Sequence, residues 1–173
     1  MSLPSPEPQA AVAIIRTRNL DPEYLIIKRT VNPKDPWSGH FAFPGGGRDK
    51  NDPDLLATCL REVREECGLQ LHPRNLKQTL PITHAGRLTE APIFVSPFLF
   101  EIPMQVPLTV DPKEIDRYLW LPATYLKNKD NHSRQSFLKN SPQQLFHCIK
   151  LEDGYIWGFT YRVLADILQI HES

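Results

Sequence analysis

Neither sign of charge prevails in this chain: twenty Lys and Arg stand against twenty Asp and Glu. That balance excludes the broad basic surface with which a protein binds nucleic acid, and it favours compact, locally charged ligands. Cysteine is scarce as well. Cys59, Cys67 and Cys148 are an odd number without metal-type spacing, so they read as small buried apolar residues in a reducing cytosol rather than as a disulfide or zinc framework. No apolar run approaches a membrane span, and the N-terminus lacks the basic-then-apolar layout of a secretion signal, so a soluble cytoplasmic protein is expected. There is no internal repeat. A chain of 173 residues suits one domain with a core of its own, expected over residues 10–173, behind a flexible arm at 1–9 that carries three prolines.

What the chain does have is one stretch around which the rest is organised, GGGRDKNDPDLLATCLREVREECGL from Gly45 to Leu69. A glycine turn leads to a helix start, with Asp52 as the expected cap and Pro53 at the first helical position, and Gly68 supplies the stop. Leu56, Cys59, Leu60, Val63 and Cys67 recur at three- and four-residue spacing and form a face to be buried. At about 100° per residue, Glu62, Glu65 and Glu66 fall within one narrow stripe, where like charges repel. One reading is a solvated face balanced by Arg61 and Arg64. The other is a metal site, because a hard divalent cation prefers oxygen ligands and reverses the cost of crowding them.

The order Arg-Glu-apolar-x-Glu-Glu-x-Gly-apolar from Arg61 to Leu69 resembles the signature of Nudix hydrolases, which hydrolyse a nucleoside diphosphate linked to another group. The resemblance implies an α/β fold, a Nudix-type α/β/α sandwich with a mixed β-sheet. It implies Mg²⁺ or Mn²⁺ on Glu62, Glu65, Glu66 and a backbone carbonyl near Gly46. Glu65 and Glu66 are then the principal ligands, Glu62 a ligand that can also orient or deprotonate water, and Arg61 a group that orients a glutamate. A later carboxylate is often added in this family, and Glu114 in EIDRYLWLP is the candidate here. The family pattern also asks for a glutamate at the position that Pro53 occupies, with Asp49 and Asp52 close by.

The lead-in DPWSGHFAFPGGGRDKND resembles the Nudix subgroup that includes coenzyme A diphosphatases. Arg29-Thr30 and Gly39 fall near that subgroup's positions, and Lys34 stands where its second arginine would be, so Arg29 and Lys34 are the candidate phosphate-binding residues. A small nucleotide is thus the expected partner, with neither nucleic acid nor membrane, and a homodimer is left open. The competing functions are hydrolysis of ADP-ribose, NADH or another nucleotide, and a nucleotide-binding regulatory module without turnover.

Along the rest of the chain, Ala10–Thr17, Tyr24–Lys28, Leu76–His84, Ile93–Phe100 and Arg117–Leu121 read as strands, the fourth as central. His84 and Glu90 flank a loop and read as solvated. Lys127–Gln144 reads as a long loop or lid. Glu152-Asp153-Gly154 signals a hairpin, and Thr160 opens a last amphipathic helix.

Overall fold

The computed structural model describes residues 7–34, 38–86 and 92–171. In chain order these form strands β1 (Ala10–Thr17), β2 (Glu23–Arg29), β3 (Phe41–Ala42) and β4 (Gly45–Gly47), then helix α1 (Leu55–Cys67). Strands β5 (Leu76–Thr79), β6 (Thr83–Ala85), β7 (Ile93–Ile102) and β8 (Ile115–Pro122) come next, followed by helix α2 (Ala123–Lys127). Strands β9 (His132–Gln135), β10 (Phe146–Leu151) and β11 (Gly154–Trp157) and helix α3 (Gly158–Leu168) complete the order. The chain divides into two compact units, Met1–Arg18 with Phe43–Asp111, and Asn19–Ala42 with Pro112–Ser173.

In the first unit β1 runs parallel to β7 from Ala10↔Val95 to Thr17↔Ile102 and antiparallel to β4, so the sheet is mixed. The run Ala11 to Ile15 is apolar without alternation because it is covered on both faces; Ala11, Ala13, Ile14 and Ile15 are all buried. Helix α1 packs on β1 and β4 through Cys59, Val63 and Cys67, its buried apolar residues. Burying a side chain of valine size or larger contributes about 1.5–3 kcal/mol, which holds the helix over the glycine strand. Burial pushes the Cys67 thiol up to about 12, with the Glu66 charge adding to it, and it pushes Cys59 up further, so neither forms a thiolate at neutral pH.

The helix starts later than the sequence pattern suggests. Asp54, not Asp52, is the cap: its backbone is extended and its side chain accepts from the Ala57 N–H at 2.8 Å. Pro53 stays outside the helix, and Asp52 is released for another task. Gly68 ends the helix in the left-handed conformation with φ 63°, donating its N–H to the Arg64 carbonyl.

Two further expectations change in this unit. Gln9, placed in the flexible arm, is tied by backbone hydrogen bonds to Phe94 and Arg48. The strand expected over Leu76–His84 is broken between β5 and β6, both of which pair antiparallel with β7. Pro81 lies in the gap and Pro97 on β7 faces it through a carbonyl that accepts from Leu80; two residues without an N–H cannot continue the ladder. Glu90 and the end of the 31–37 loop lie outside the described residues.

In the second unit β2 pairs antiparallel with β3 and β8, with Lys28 opposite Phe41 on one side and Arg117 on the other. Strands β9, β10 and β11 form a separate antiparallel sheet, on which α3 packs. The expected hairpin is present, with Leu151 paired to Gly154 around Glu152 and Asp153. Asp153 clasps this hairpin to the other sheet of the same unit by ion pairs to Lys28 at 2.6 Å and to Arg117. Part of the predicted 127–144 loop is therefore a strand, β9. Its polar sequence hides it, because it is an edge strand whose pairing to β10 is held by the backbone and by Ser133 against the Cys148 thiol. Helix α3 begins at Gly158, two residues before Thr160.

Candidate active site

The site is built where the glycine strand β4 meets α1, both in the first unit. Three adjacent glycines meet three different surroundings. Gly45 has φ 153°, and a Cβ there would stand 2.2 Å from the Ala11 carbonyl, so only glycine lets β4 lie this close to β1. Gly46 faces the helix: a Cβ would stand 2.7–2.9 Å from the three carboxylate atoms of Glu62. A Cβ at Gly47 would meet nothing within 4 Å. The turn thus brings bare backbone against the Glu62 carboxylate.

Arg61 laces the site together. Its guanidinium has five N–H donors in a rigid fork, and each has an acceptor. Nε donates to Asp52 Oδ1 at 3.0 Å, and Nη2 donates to Asp52 Oδ2 at 2.9 Å and to the Gly47 carbonyl at 3.2 Å. Nη1 donates to Glu62 Oε1 at 2.8 Å and to Glu65 Oε2 at 3.0 Å. All five donors are thus engaged by the protein itself.

Asp52 fills the place that the missing glutamate leaves. It is buried, and besides Arg61 its Oδ2 accepts from the Thr58 hydroxyl and the Asp49 N–H, both at 2.9 Å. The Arg61 guanidinium, followed by the Asp49 N–H, holds the Asp52 carboxyl below the usual carboxylate range, and Asp52 in turn raises Arg61. Of the two aspartates near the vacant motif position, the structure selects Asp52. Asp49 supplies turn geometry instead, its side chain accepting from Asn51 N. Thr58 and the Gly47 carbonyl had no signal in the sequence, since their parts follow from which face of α1 meets the preceding turn.

The three glutamates occupy different environments. Glu66 is buried, and its Oε2 accepts from the Gly45 N–H at 2.8 Å. Glu62 is partly buried between Gly46 and Arg61, while Glu65 is exposed. They are therefore not one uniform solvated stripe. Carboxylate oxygen is the ligand type that a hard divalent cation takes, and Glu62 and Glu65 already share one cationic nitrogen, so the donor set fits such an ion. Among the described residues, no three acidic, histidine or cysteine side chains are gathered into a ready-made metal-holding group. The three carboxylates are present, but each is held by the protein itself.

The remaining candidates, Arg29, Lys34 and Glu114, belong to the second unit. Arg29 pairs with Ile115 across β2 and β8, and the Thr30 N–H donates to the Glu114 carbonyl at 2.8 Å, so Arg29 and Glu114 are neighbours there. Glu114 is exposed. Lys34 is exposed, and its backbone N–H donates to Asn32 Oδ1. His84 lies in β6 opposite Phe94.

A mixed sheet carrying a glycine turn, set against a glutamate-bearing helix that one arginine laces, defines a class: an α/β protein with carboxylates gathered beside a glycine turn. The family follows from comparison with known proteins. A family model described as a NUDIX domain matches residues 7–140, and the chain belongs to the Nudix family. It is 27% identical over 164 residues to an uncharacterised Nudix hydrolase, NudL, of Salmonella newport, covering 94% of this chain and 82% of that one. An uncharacterised Schizosaccharomyces pombe protein is 30% identical over 111 residues, which are 61% of this chain but 33% of that protein, so the match spans about a third of its length.

Among solved structures, a MutT/nudix family protein from Enterococcus faecalis matches with TM-score 0.65 and 18% identity over 98% of this chain and 63% of that one. The NUDIX domain of Shewanella oneidensis NrtR, complexed with ADP ribose, matches with TM-score 0.55 and 18% identity over 68% of this chain and 74% of that one. These likenesses establish the Nudix fold, as the signature from Arg61 to Leu69 implies. Nudix hydrolases as a family use divalent metal ions. Among the described residues no helix is long and apolar enough to cross a membrane.

Proposed function

We propose that this chain, with residues 10–173 acting as one domain in the cytoplasm, is a diphosphatase that hydrolyses the linkage of a nucleoside diphosphate derivative, with coenzyme A or an acyl-coenzyme A as substrate. The observation that carries the reaction class is the gathering of Glu62 and Glu65 on one guanidinium nitrogen beside the Glu62–Gly46 contact. Glu62, Glu65, Glu66 and the Gly46 carbonyl would hold Mg²⁺ or Mn²⁺, which would supply neutralisation of diphosphate oxygens and acidification of a water. Glu62 orients or deprotonates the attacking water, with Glu65 and Glu114 as the other carboxylates available to serve as base. In the ion-free state Arg61 fixes the direction of Glu62 and Glu65. Water attacks one phosphorus in line, the bridging P–O bond breaks, and coenzyme A yields 4′-phosphopantetheine and adenosine 3′,5′-bisphosphate.

The choice of coenzyme A rests on the lead-in from Arg29 through Phe43-Pro44-Gly45-Gly46, which resembles the coenzyme A diphosphatase subgroup. Its 3′-phosphate calls for a cation away from the metal ligands, and Arg29 or Lys34 supplies it. A panel of coenzyme A, dephospho-coenzyme A, ADP-ribose and NADH with Mg²⁺ and Mn²⁺ tests the reading. Coenzyme A should be turned over fastest and dephospho-coenzyme A more slowly. Equal rates on those two remove the role of the basic residues, faster cleavage of ADP-ribose overturns the substrate, and no metal-dependent turnover of any of the four leaves another nucleotide substrate or a binding module.

A further inference from the structure

Arg61 does more than orient glutamates, and the reason is positional. The nitrogen Nη1 stands 2.8 Å from one oxygen of Glu62 and 3.0 Å from one of Glu65. An ion taken up by those two carboxylates therefore competes with Nη1 for the same oxygens, and as a like charge at close range it is repelled by the guanidinium. Yet Arg61 cannot simply swing aside. Its fork is planar and rigid, and the other edge is fixed by both Asp52 oxygens and the Gly47 carbonyl. Asp52 is fixed in turn by Thr58 and the Asp49 N–H, while Arg48 braces the carbonyls of Asp52 and Pro53. Whatever moves when an ion enters, it is the two carboxylates, whose side chains are long and, for Glu65, exposed.

We infer that Arg61 Nη1 is an internal counter-cation, which holds Glu62 and Glu65 in the ion-free state and hands both carboxylates to the divalent cation on loading, while Nε and Nη2 stay on Asp52. The inference rests on the reading of these glutamates as metal ligands given above. Its consequence is a trade between assembly and affinity. The guanidinium prevents the carboxylates from repelling one another apart when no ion is present, and it weakens ion binding because the contacts it makes must be given up first. It also accounts for the absence of a ready-made metal-holding group among the described residues, since two of the three ligands are drawn towards Arg61 and the third towards Gly45.

The test reads ion binding, not turnover. Mn²⁺ titrated into the wild-type chain and into Arg61→Gln, followed by the loss of the free-ion paramagnetic resonance signal, should show tighter binding in the variant, on the order of threefold to tenfold, the range for releasing partly exposed ion pairs. Unchanged or weaker binding in a folded variant overturns the inference and makes Arg61 a simple support. If the variant does not fold, the wild type decides: ¹⁵N spectra of the arginine side chains with saturating Mg²⁺ should show Arg61 Nη1 protons losing protection while Nε–H keeps its own. Retained protection at Nη1 overturns the inference. Wild-type chain that binds no Mn²⁺ overturns the metal-site reading on which the inference rests, an outcome distinct from binding that ignores Arg61.

Discussion

Adding one methyl group at Gly46 tests whether the position of Glu62 matters to the chemistry. No left-handed backbone angle requires glycine there, so alanine is tolerated by the main chain and restricts the unfolded state, a contribution of about 0.4–1 kcal/mol to stability. The cost falls elsewhere. The new Cβ would stand 2.7 Å from Glu62 Cδ and 2.8 and 2.9 Å from its two oxygens, where ordinary contact begins at 3.4 Å. A flexible side-chain end yields to this pressure cheaply, so the carboxylate withdraws by roughly 0.5–1 Å, and a misplacement of ~1 Å in a positioned group costs ~10²-fold in rate. Gly46→Ala should therefore keep its melting temperature within about 4 °C while kcat for coenzyme A hydrolysis at saturating Mg²⁺ falls by about two orders of magnitude. The neighbours are internal controls. Gly47→Ala meets nothing within 4 Å and should remain active, whereas Gly45→Ala drives a Cβ into the Ala11 carbonyl at 2.2 Å and should disrupt the β1–β4 pairing and the fold. A fully active Gly46→Ala, or a Gly47→Ala as impaired as Gly46→Ala, refutes the reasoning.

Three other outcomes are expected. Glu66→Gln keeps an acceptor for the Gly45 N–H but loses the charge, so it should fold normally and lose about 10²–10³-fold in turnover at limiting Mg²⁺; Glu65→Gln should do likewise, and full activity in both returns the glutamates to a solvated face. Arg61→Lys, which cannot serve Asp52 and both glutamates at once, should lower kcat more than it raises KM; a change confined to KM would place Arg61 on the substrate. Because the folded state lowers the Asp52 carboxyl, the stability it contributes is fully present above its unfolded value of about 3.9 and is lost as pH falls through its lower folded value. Urea unfolding of wild type and Asp52→Asn should show a constant gap above about pH 5 that closes only on stronger acidification, and a gap that closes near neutral pH would assign the effect to another group.

The stretch from Gly45 to Leu69 was legible because its residue types carry their geometry with them. Glycine at 45, 46 and 68 and glutamate at 62, 65 and 66 announce turn, stop and a stripe of carboxylates by spacing alone. The continuous apolar runs of β1 and β7 were legible for the same reason, since strands covered on both faces need no alternation. What stayed hidden depended on partners distant in sequence. The break between β5 and β6 follows from Pro97 on the facing strand as much as from the local Pro81, and β9 is specified by β10 rather than by its own polar residues. The cap moved from Asp52 to Asp54 because two aspartates two residues apart compete for one role, and tertiary pairing with Arg61 settled the competition.

That competition also explains how the motif survives proline at its glutamate position. Aspartate is one methylene shorter than glutamate, and residue 52 lies one position earlier, so a side chain from position 52 reaches Arg61 only if the backbone before the helix is folded back. It is folded back: the Asp52 N–H donates to the Asp49 carbonyl at 3.0 Å, and Arg48 draws the Asp52 and Pro53 carbonyls together at 3.3 and 2.9 Å. Pro53 restricts the residue before it to extended conformations, which suits Asp52 outside the helix, and Asp54 can then cap α1 without competition. The shorter side chain has fewer rotamers to lose on ordering, and the Thr58 hydroxyl donates to it at 2.9 Å. A change at Arg48 or Thr58 therefore reaches Glu62 and Glu65 through Asp52 and the rigid guanidinium, without touching any group expected to hold an ion or a phosphate.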